Sequence, residues 1–447
     1  MSHAPRPGLF APLAVIAVAV AACAVWANVP RYHPIDHDDC RHFPPFRVGV
    51  NRVYTHHLGG EYLHIARALR AGRGFADPFR VESGPTAWMP PALPAALTTF
   101  LWLADDDEKV VTNVVVAFQS LALIVTGWLV LAASRAAFPR ARLWPACGLY
   151  LLFLAADFNA AFQITHDPWL LMLGLAAVLA GYAQLPERVS ARAVVVWGVG
   201  GGVAALVGPV LGLVWAVLTA DRWPRWRPWA AAAAVAALTV SPWVARNYAV
   251  FGAVVPVKSN AFYELYQSQL LTRDGLIRQT TWPTHPYHTG DERDRYLELG
   301  EPAYLAEKKA LALASLRADP GDYAVRVWNR LAAATLVYVP LDEKEERAPL
   351  NTWERLPWVC HPLPALAAVL LLVWPRRLHR YERAALLVYA AWLLPYVLVS
   401  YYPRYGFPLV GVKVFLCLAA LNRFLPRPDH SIGSGVGPVS NRPARGL

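Results

Sequence analysis

The sequence predicts an all-α polytopic membrane protein of about ten transmembrane helices with extracytoplasmic juxtamembrane helices and loops. Three observations lead there. The 447 residues are 56% hydrophobic, with a mean hydropathy of +0.30, more apolar than an ordinary soluble domain. Long apolar runs recur along the chain at lengths that suit helical spans. The formal charge is +11, and its arginines gather in short segments between those runs. That placement is the positive-inside pattern, so membrane orientation accounts for much of the charge. No nucleic-acid motif accompanies it, and nucleic acid is not an expected partner; the lipid bilayer is.

Residues 1–29 resemble a signal peptide, and Val20-Ala21-Ala22-Cys23 resembles a lipoprotein processing box. The run from Leu9 to Val29 is long for such a leader, and we read it as a retained first helix. The loop 30–108 follows. Its start, Arg31 to His42, is dense in His and Asp, including the acids Asp36, Asp38 and Asp39. The spacing matches no metal-ligand pattern and reads as a solvated segment. The five cysteines are scattered and odd in number, so neither a disulfide framework nor a zinc site is indicated.

Gly59 to Pro91 is the stretch on which the functional argument turns. Tyr62, Ile65 and Leu69 recur at helical spacing, with Glu61, His64, Arg67 and Arg70 largely on the other side, and Gly72 and Gly74 end the helix. Gly84-Pro85-Thr86 and the cluster Trp88, Pro90, Pro91 follow; prolines there suit the first turn of a new helix. Pro90 to Ala104 is short for a span and reads as re-entrant or interfacial, ending in the acidic run Asp105 to Glu108.

Val110–Ala133 leads inward to a basic turn with Arg135, Arg140 and Arg142. Trp144–Ala156 returns outward and Pro168–Ala183 goes back in, toward Arg188 and Arg192. Ala193–Leu206 and Val210–Ala220 form a hairpin about the breaker Gly208-Pro209. Arg222, Arg225 and Arg227 mark the third basic turn, and Pro228–Val244 leads out to Ala245-Arg246-Asn247. Residues 246–355 are polar and extracytoplasmic. They hold two helices broken at Asp319-Pro320-Gly321, the second, Tyr323–Tyr338, amphipathic and either lying on the membrane or crossing it. Pro357–Trp374, Ala384–Val399 and Gly406–Leu421 are the last spans, and the Pro/Gly/Ser-rich tail reads as disordered. The expected organisation is thus an N-terminal membrane module 1–245, the outer region 246–355, C-terminal spans 356–424 and a cytoplasmic tail 425–447. Both ends lie inside and all basic turns fall on one side.

Under this topology Glu61, Asp167, Arg246, Lys258 and Arg404 all lie outside, each near a membrane boundary, where ionisable groups tend to be paired or functional. Asp167 also suits the ordinary role of a helix N-terminal acid in His166-Asp167-Pro168-Trp169, and Asp157 competes with it more weakly.

Four segments carry a resemblance. They are Glu61-Tyr62-Leu63 through Gly74, then Gly84-Pro85-Thr86-Ala87-Trp88-x-Pro90-Pro91; Ser241-Pro242-Trp243-x-x-Arg246-Asn247-Tyr248; Val255-Pro256-x-Lys258-Ser259-Asn260; and Pro403-Arg404-Tyr405-x-Phe407-Pro408. In that order they resemble bacterial glycosyltransferase family 39 of the GT-C superfamily, which also holds protein O-mannosyltransferases and aminoarabinose transferases. The resemblance implies a GT-C-like bundle in a bacterial cytoplasmic membrane, its active site facing the outside. It implies transfer of a sugar from a polyprenyl-phosphate donor to an acceptor hydroxyl on a glycan, lipid or protein, with inversion. Glu61 would be the general base, although many family members place an aspartate before it and this chain has Gly60. Asp167 would correspond to a second acid. Arg246, Lys258 and Arg404 would bind the donor phosphate, a leaving group that needs positive charge rather than a proton. Tyr62, Thr86, Trp88, His166, Asn247, Asn260 and Tyr405 would line the substrate. No cofactor is required; a divalent metal is compatible but not needed. The rival readings are a polysaccharide polymerase or ligase of related architecture, a transporter, and a non-catalytic membrane protein.

Overall fold

The structure is a computed structural model, described here for residues 8–32, 59–138, 143–163, 167–186, 189–223, 225–288, 290–340, 355–374 and 376–424. Among these residues it is all-helical. The elements are α1 (Phe10–Tyr32), α2 (Gly60–Arg70), α3 (Ala92–Leu103), α4 (Glu108–Ala137), α5 (Leu143–Ala156), α6 (Pro168–Gln184), α7 (Ala191–Val207), α8 (Pro209–Arg222), α9 (Trp226–Phe251), α10 (Ala261–Leu270), α11 (Asp291–Ala318), α12 (Pro320–Thr335), α13 (Leu356–Cys360), α14 (Leu363–Val373), α15 (Arg380–Leu398) and α16 (Val410–Phe424). Five stretches are long and apolar enough to cross a membrane: Phe10–Ala27, Glu108–Ala137, Trp226–Phe251, Leu356–Val373 and Pro403–Arg423. The chain is a helical membrane protein. Shorter apolar helices, among them α3, α5, α6 and α7, pack between and beside these spans.

The apolar core is built where α1, α4, α5, α6, α8, α15 and α16 meet, around Ile16, Leu123, Tyr150, Leu211 and Trp392. Small residues set the closest approach. Gly198 and Gly202 of α7 face α9; a Cβ at Gly198 would lie 2.8 Å from the Ala232 carbonyl oxygen, and one at Gly202 2.8 Å from that of Ala236. This is the small-xxx-small spacing that lets membrane helices touch backbone to backbone. Most of α9 is otherwise exposed, including Trp226, Leu238 and Tyr248, which is the surface expected of a helix that faces lipid.

α9 runs further than the sequence suggests. The apolar pattern ends this helix at Val244, yet helix continues to Phe251, so Arg246 and Asn247 sit on its last turns. Pro242 has no N–H to give the Leu238 carbonyl. The Ser241 hydroxyl donates to that carbonyl instead, at 2.8 Å. The helix ends at Gly252, whose φ of 66° is the left-handed cap glycine favours. The expected span over Pro357–Trp374 is present as α13 and α14, which follow one another across His361-Pro362 with helical backbone angles at both residues.

α12 is amphipathic with its polar side turned in. Arg326 and Arg330 face the protein, Arg330 Nε donating to the Val397 carbonyl at 2.7 Å. Val325, Trp328 and Leu331 are exposed, the reverse of a water-facing surface helix.

The two ends of the bundle differ. At one end Arg383 pairs with Asp221 at 2.6 Å, Arg423 with Glu382 at 2.7 Å, and Arg380 Nη2 donates to the Ala183 carbonyl at 2.9 Å. At the other, α2, α10, α11 and the loops between them form a second core of aromatic side chains. It contains Phe79, Trp88, Tyr263, Tyr266, Tyr287, Tyr296 and Tyr304. This end carries the candidate site.

Candidate active site

The loop after α2 is braced by two carboxylates. Asp77, buried and at φ 58°, accepts the Ser83 and Gly84 N–H groups at 2.8 and 2.9 Å on one oxygen and Arg73 Nε at 2.8 Å on the other. Backbone pairing of Asp77 N with Gly84 O and Thr86 N with Phe75 O, each 3.0 Å, closes the turn. The second brace is Glu301, just past the kink of α11 at Gly300. Its carboxylate accepts the Thr86 hydroxyl, the Ala87 N–H at 2.8 Å, the Ser259 hydroxyl at 2.8 Å and the Tyr296 hydroxyl at 3.0 Å. Burial pushes the Glu301 carboxyl up from its ordinary range, and those hydrogen bonds act against that shift. Thr86 also accepts the Trp88 N–H at 2.9 Å. Trp88 is fully buried and packs edge-on against Phe79, with ring centroids 4.9 Å apart.

Arg246 lies under this loop. It donates to the carbonyls of Phe75 and Thr86, each at 2.7 Å, and to Asn247 Oδ1 at 3.0 Å. The Asn247 amide donates to the Val255 carbonyl at 2.8 Å. Thr86, Trp88, Arg246 and Asn247 therefore join α9 to the loop. Nη1 and Nη2 of Arg246 are thus engaged with two loop carbonyls and Asn247, which ties the loop to α9; the donor-phosphate role stays what the resemblance implies.

A separate group of side chains gathers around Arg404, at the head of the turn 403–409 before α16. Its guanidinium lies 4.9 Å from the Tyr402 ring centroid and 5.7 Å from that of Tyr405. Arg404 Nε is buried and has no hydrogen-bond partner among the described residues. The charges of Glu61, Asp167 and Glu264 all act on this region. Asp167, at the start of α6, accepts the Tyr62 hydroxyl at 3.2 Å. Glu264, on α10, accepts Ser400 Oγ at 2.6 Å and the Tyr405 hydroxyl at 3.2 Å, and lies 4.0 Å from Lys258 Nζ. Tyr405 stacks on Tyr396 at 4.3 Å. Asn260, buried, opens α10, and its Oδ1 is without a partner among the described residues.

Glu61 stands in the first turn of α2. Burial raises its carboxyl above the ordinary range; the nearby Arg404 charge works the other way, while Glu264 and Asp167 add to the rise. His285 Nε2 is 3.8 Å from Glu61 Oε1.

Sequence reading thus placed Glu61, Tyr62, Asp167, Lys258, Arg404 and Tyr405 in segments that the fold brings together. It missed Glu264, Glu301, His285 and Tyr402. Glu264 and Glu301 are single acids in the polar stretch 246–355, and no spacing around them marks either one. His166 and the acids Asp36, Asp38 and Asp39 lie outside the described residues. The charge beside Asp157 is Lys413 of α16. Among the described residues no three His, Cys, Asp or Glu side chains are grouped to hold a metal.

Three acids near one half-buried guanidinium whose Nε is enclosed, with a lysine at the rim, can take up a proton and receive an anion in one place. The chain matches no protein-family model, no curated protein and no solved structure.

Proposed function

We propose that this membrane protein is an inverting glycosyltransferase that moves a sugar from a polyprenyl-phosphate donor to an acceptor hydroxyl. The observation that carries the reading is a half-buried acid, Glu61, within the electrostatic reach of Arg404, whose buried Nε is unpartnered among the described residues. In this reading Glu61 removes the acceptor proton as the hydroxyl attacks the anomeric carbon. Arg404 and Lys258 receive the departing lipid phosphate, whose negative charge needs fixed cations and no proton. Asp167, held by Tyr62, positions the sugar or the acceptor. Tyr405 and Asn260 line the same space, and the loop carrying Thr86 and Trp88 closes it.

The finer topology belongs to the same proposal. About ten apolar segments cross a bacterial cytoplasmic membrane, the arginine-rich end faces the cytoplasm, and the Glu61–Arg404 end faces outward. A lipid-borne donor suits a site at the boundary, because its phosphate stays in the interface while its chain stays in the bilayer.

The test is to supply the purified protein with a panel of radiolabelled polyprenyl-phosphate sugars and to measure release of sugar to water or to added glycan, lipid and peptide acceptors. Transfer from one donor, lost in Glu61→Gln, supports the reading. Binding of none of the donors by the folded protein overturns it.

A further inference from the structure

The turn from His285 to His288 packs against the N-terminal end of α2. A Cβ added to Gly60 would overlap the Tyr287 ring. The absence of a side chain there is what lets Tyr287 settle beside Glu61. The Arg80 guanidinium lies 4.5 Å from the same ring's centroid, and His64 contacts it at 5.8 Å. The turn is therefore docked on α2 from several sides.

His285 is enclosed by aromatic rings. Tyr263 lies 5.3 Å away at 87°, Trp88 5.8 Å at 90° and Phe79 6.0 Å at 82°. The Tyr287 N–H donates to His285 Nδ1 at 3.1 Å. A nitrogen that accepts carries no proton, so the neutral ring has its proton on Nε2. Burial pulls the imidazole down to about 3, with His288 and Arg404 adding to the effect, and the ring is neutral at physiological pH. Its Nε2 faces Glu61 Oε1 across 3.8 Å. That is one short adjustment beyond hydrogen-bond length, as catalytic contacts often are before substrate binds.

We propose that His285 is a positioning residue for Glu61: a neutral imidazole, oriented by the Tyr287 N–H, that presents Nε2–H to one oxygen of the carboxylate. The other oxygen is left to the acceptor hydroxyl. The inference rests on the reading of Glu61 as the base. A neutral donor suits that task because it steadies the ionised carboxylate without the full charge that would make it a poor base. The other groups facing Glu61 are Arg404, Asp167, Glu264, Tyr62, Tyr287 and Tyr402.

The experiment is an infrared pH titration of the Glu61 carboxyl in the purified full chain, read from the band that disappears in Glu61→Gln. His285→Ala should move the titration to higher pH by about one unit, a tenfold change in proton affinity. His285→Gln, whose amide nitrogen reaches the Nε2 position, should restore the wild-type value. His285→Asn, whose nitrogen stops at the Nδ1 position, should not. Gly60→Ala, which displaces Tyr287, should shift it in the same direction as His285→Ala. Nitrogen NMR of wild type against His285→Gln gives a second readout, in which an Nε2–H neutral ring is expected at neutral pH. An imidazolium or an Nδ1–H ring, or a Glu61 titration unmoved or lowered in His285→Ala, overturns the proposal. None of these measurements needs sugar transfer. A titration that shifts in a protein unable to bind any donor sinks the enzyme reading alone, and an active enzyme whose titration does not shift sinks this one alone.

Discussion

The Tyr62 hydroxyl donates to Asp167 across 3.2 Å, and residues 105 positions apart in the chain become neighbours. The contact ties the first turns of α2 to the start of α6. It holds Glu61, next to Tyr62, at a fixed distance from the second acid. Tyr62→Phe keeps the packing and loses only the hydroxyl. The expected result is a rise in KM or a fall in kcat of about tenfold, with a melting temperature lowered only by the loss of this one bond, checked by kinetics beside a melting curve. The estimate takes a hydrogen bond to a charged group at about 1.5 kcal/mol.

Glu61→Gln removes the base while keeping size. A general base contributes about 10²–10⁴-fold in rate, so transfer should fall by that factor while donor binding persists. Glu61→Asp should retain part of the activity, and Asp167→Asn should lose it through positioning. The pH profile carries its own sign. Glu61 must be ionised to act, and burial raises its carboxyl. The acid limb of kcat should therefore lie above the ordinary glutamate value of about 4.3, with activity lost as pH falls through the raised value. Near wild-type turnover in Glu61→Gln removes this residue from the mechanism.

Arg404→Ala and Lys258→Ala should weaken donor binding. For the half-buried Arg404, losing a charge partner of about 2 kcal/mol corresponds to roughly thirtyfold in Kd. Lys258, at the rim, should cost less. Arg246→Ala should behave differently: it frees the Phe75 and Thr86 carbonyls and should lower the melting temperature as well as binding. Equilibrium binding of a polyprenyl-phosphate sugar, measured beside a melting curve for each variant, separates the two outcomes.

Thr86→Val deletes the hydroxyl between Glu301 and the Trp88 N–H. The loss of a bond to a buried carboxylate, with the Trp88 N–H left unpaired, should cost about 1.5–3 kcal/mol. A melting curve in detergent tests this, and an unchanged midpoint would remove Glu301 as the brace of the loop.

Membrane orientation is testable with single cysteines and an impermeant thiol reagent in intact cells. Arg225 and Arg377 should be protected, and Arg80 should react. Arg140 and Thr289, protected and reactive by the same reasoning, lie outside the described residues. Labelling of Arg377 from outside would invert the chain after α12.

Composition and periodicity determined the helical membrane class, because a span must be long, apolar and self-bonded in its backbone. They also placed most helix boundaries, since Gly208 and Asp319-Pro320 act locally. The short range of those rules is why α9 ran past its expected end: its last turns are held by the contacts of Arg246 and Asn247 with the Phe75, Thr86 and Val255 carbonyls, which no local pattern shows. The site divides along the same line. Glu61 and Arg404 stood out as charges at apolar boundaries, where desolvation makes any charge conspicuous. That Arg246 would spend its donors on two loop carbonyls was decided by tertiary packing. So was the meeting of Glu264, from α10, with Ser400 and Tyr405, and the turning of His285 toward Glu61 by the Tyr287 N–H. Each depends on contacts across more than a hundred residues or on which ring nitrogen accepts a hydrogen bond, and neither leaves a mark in residue order.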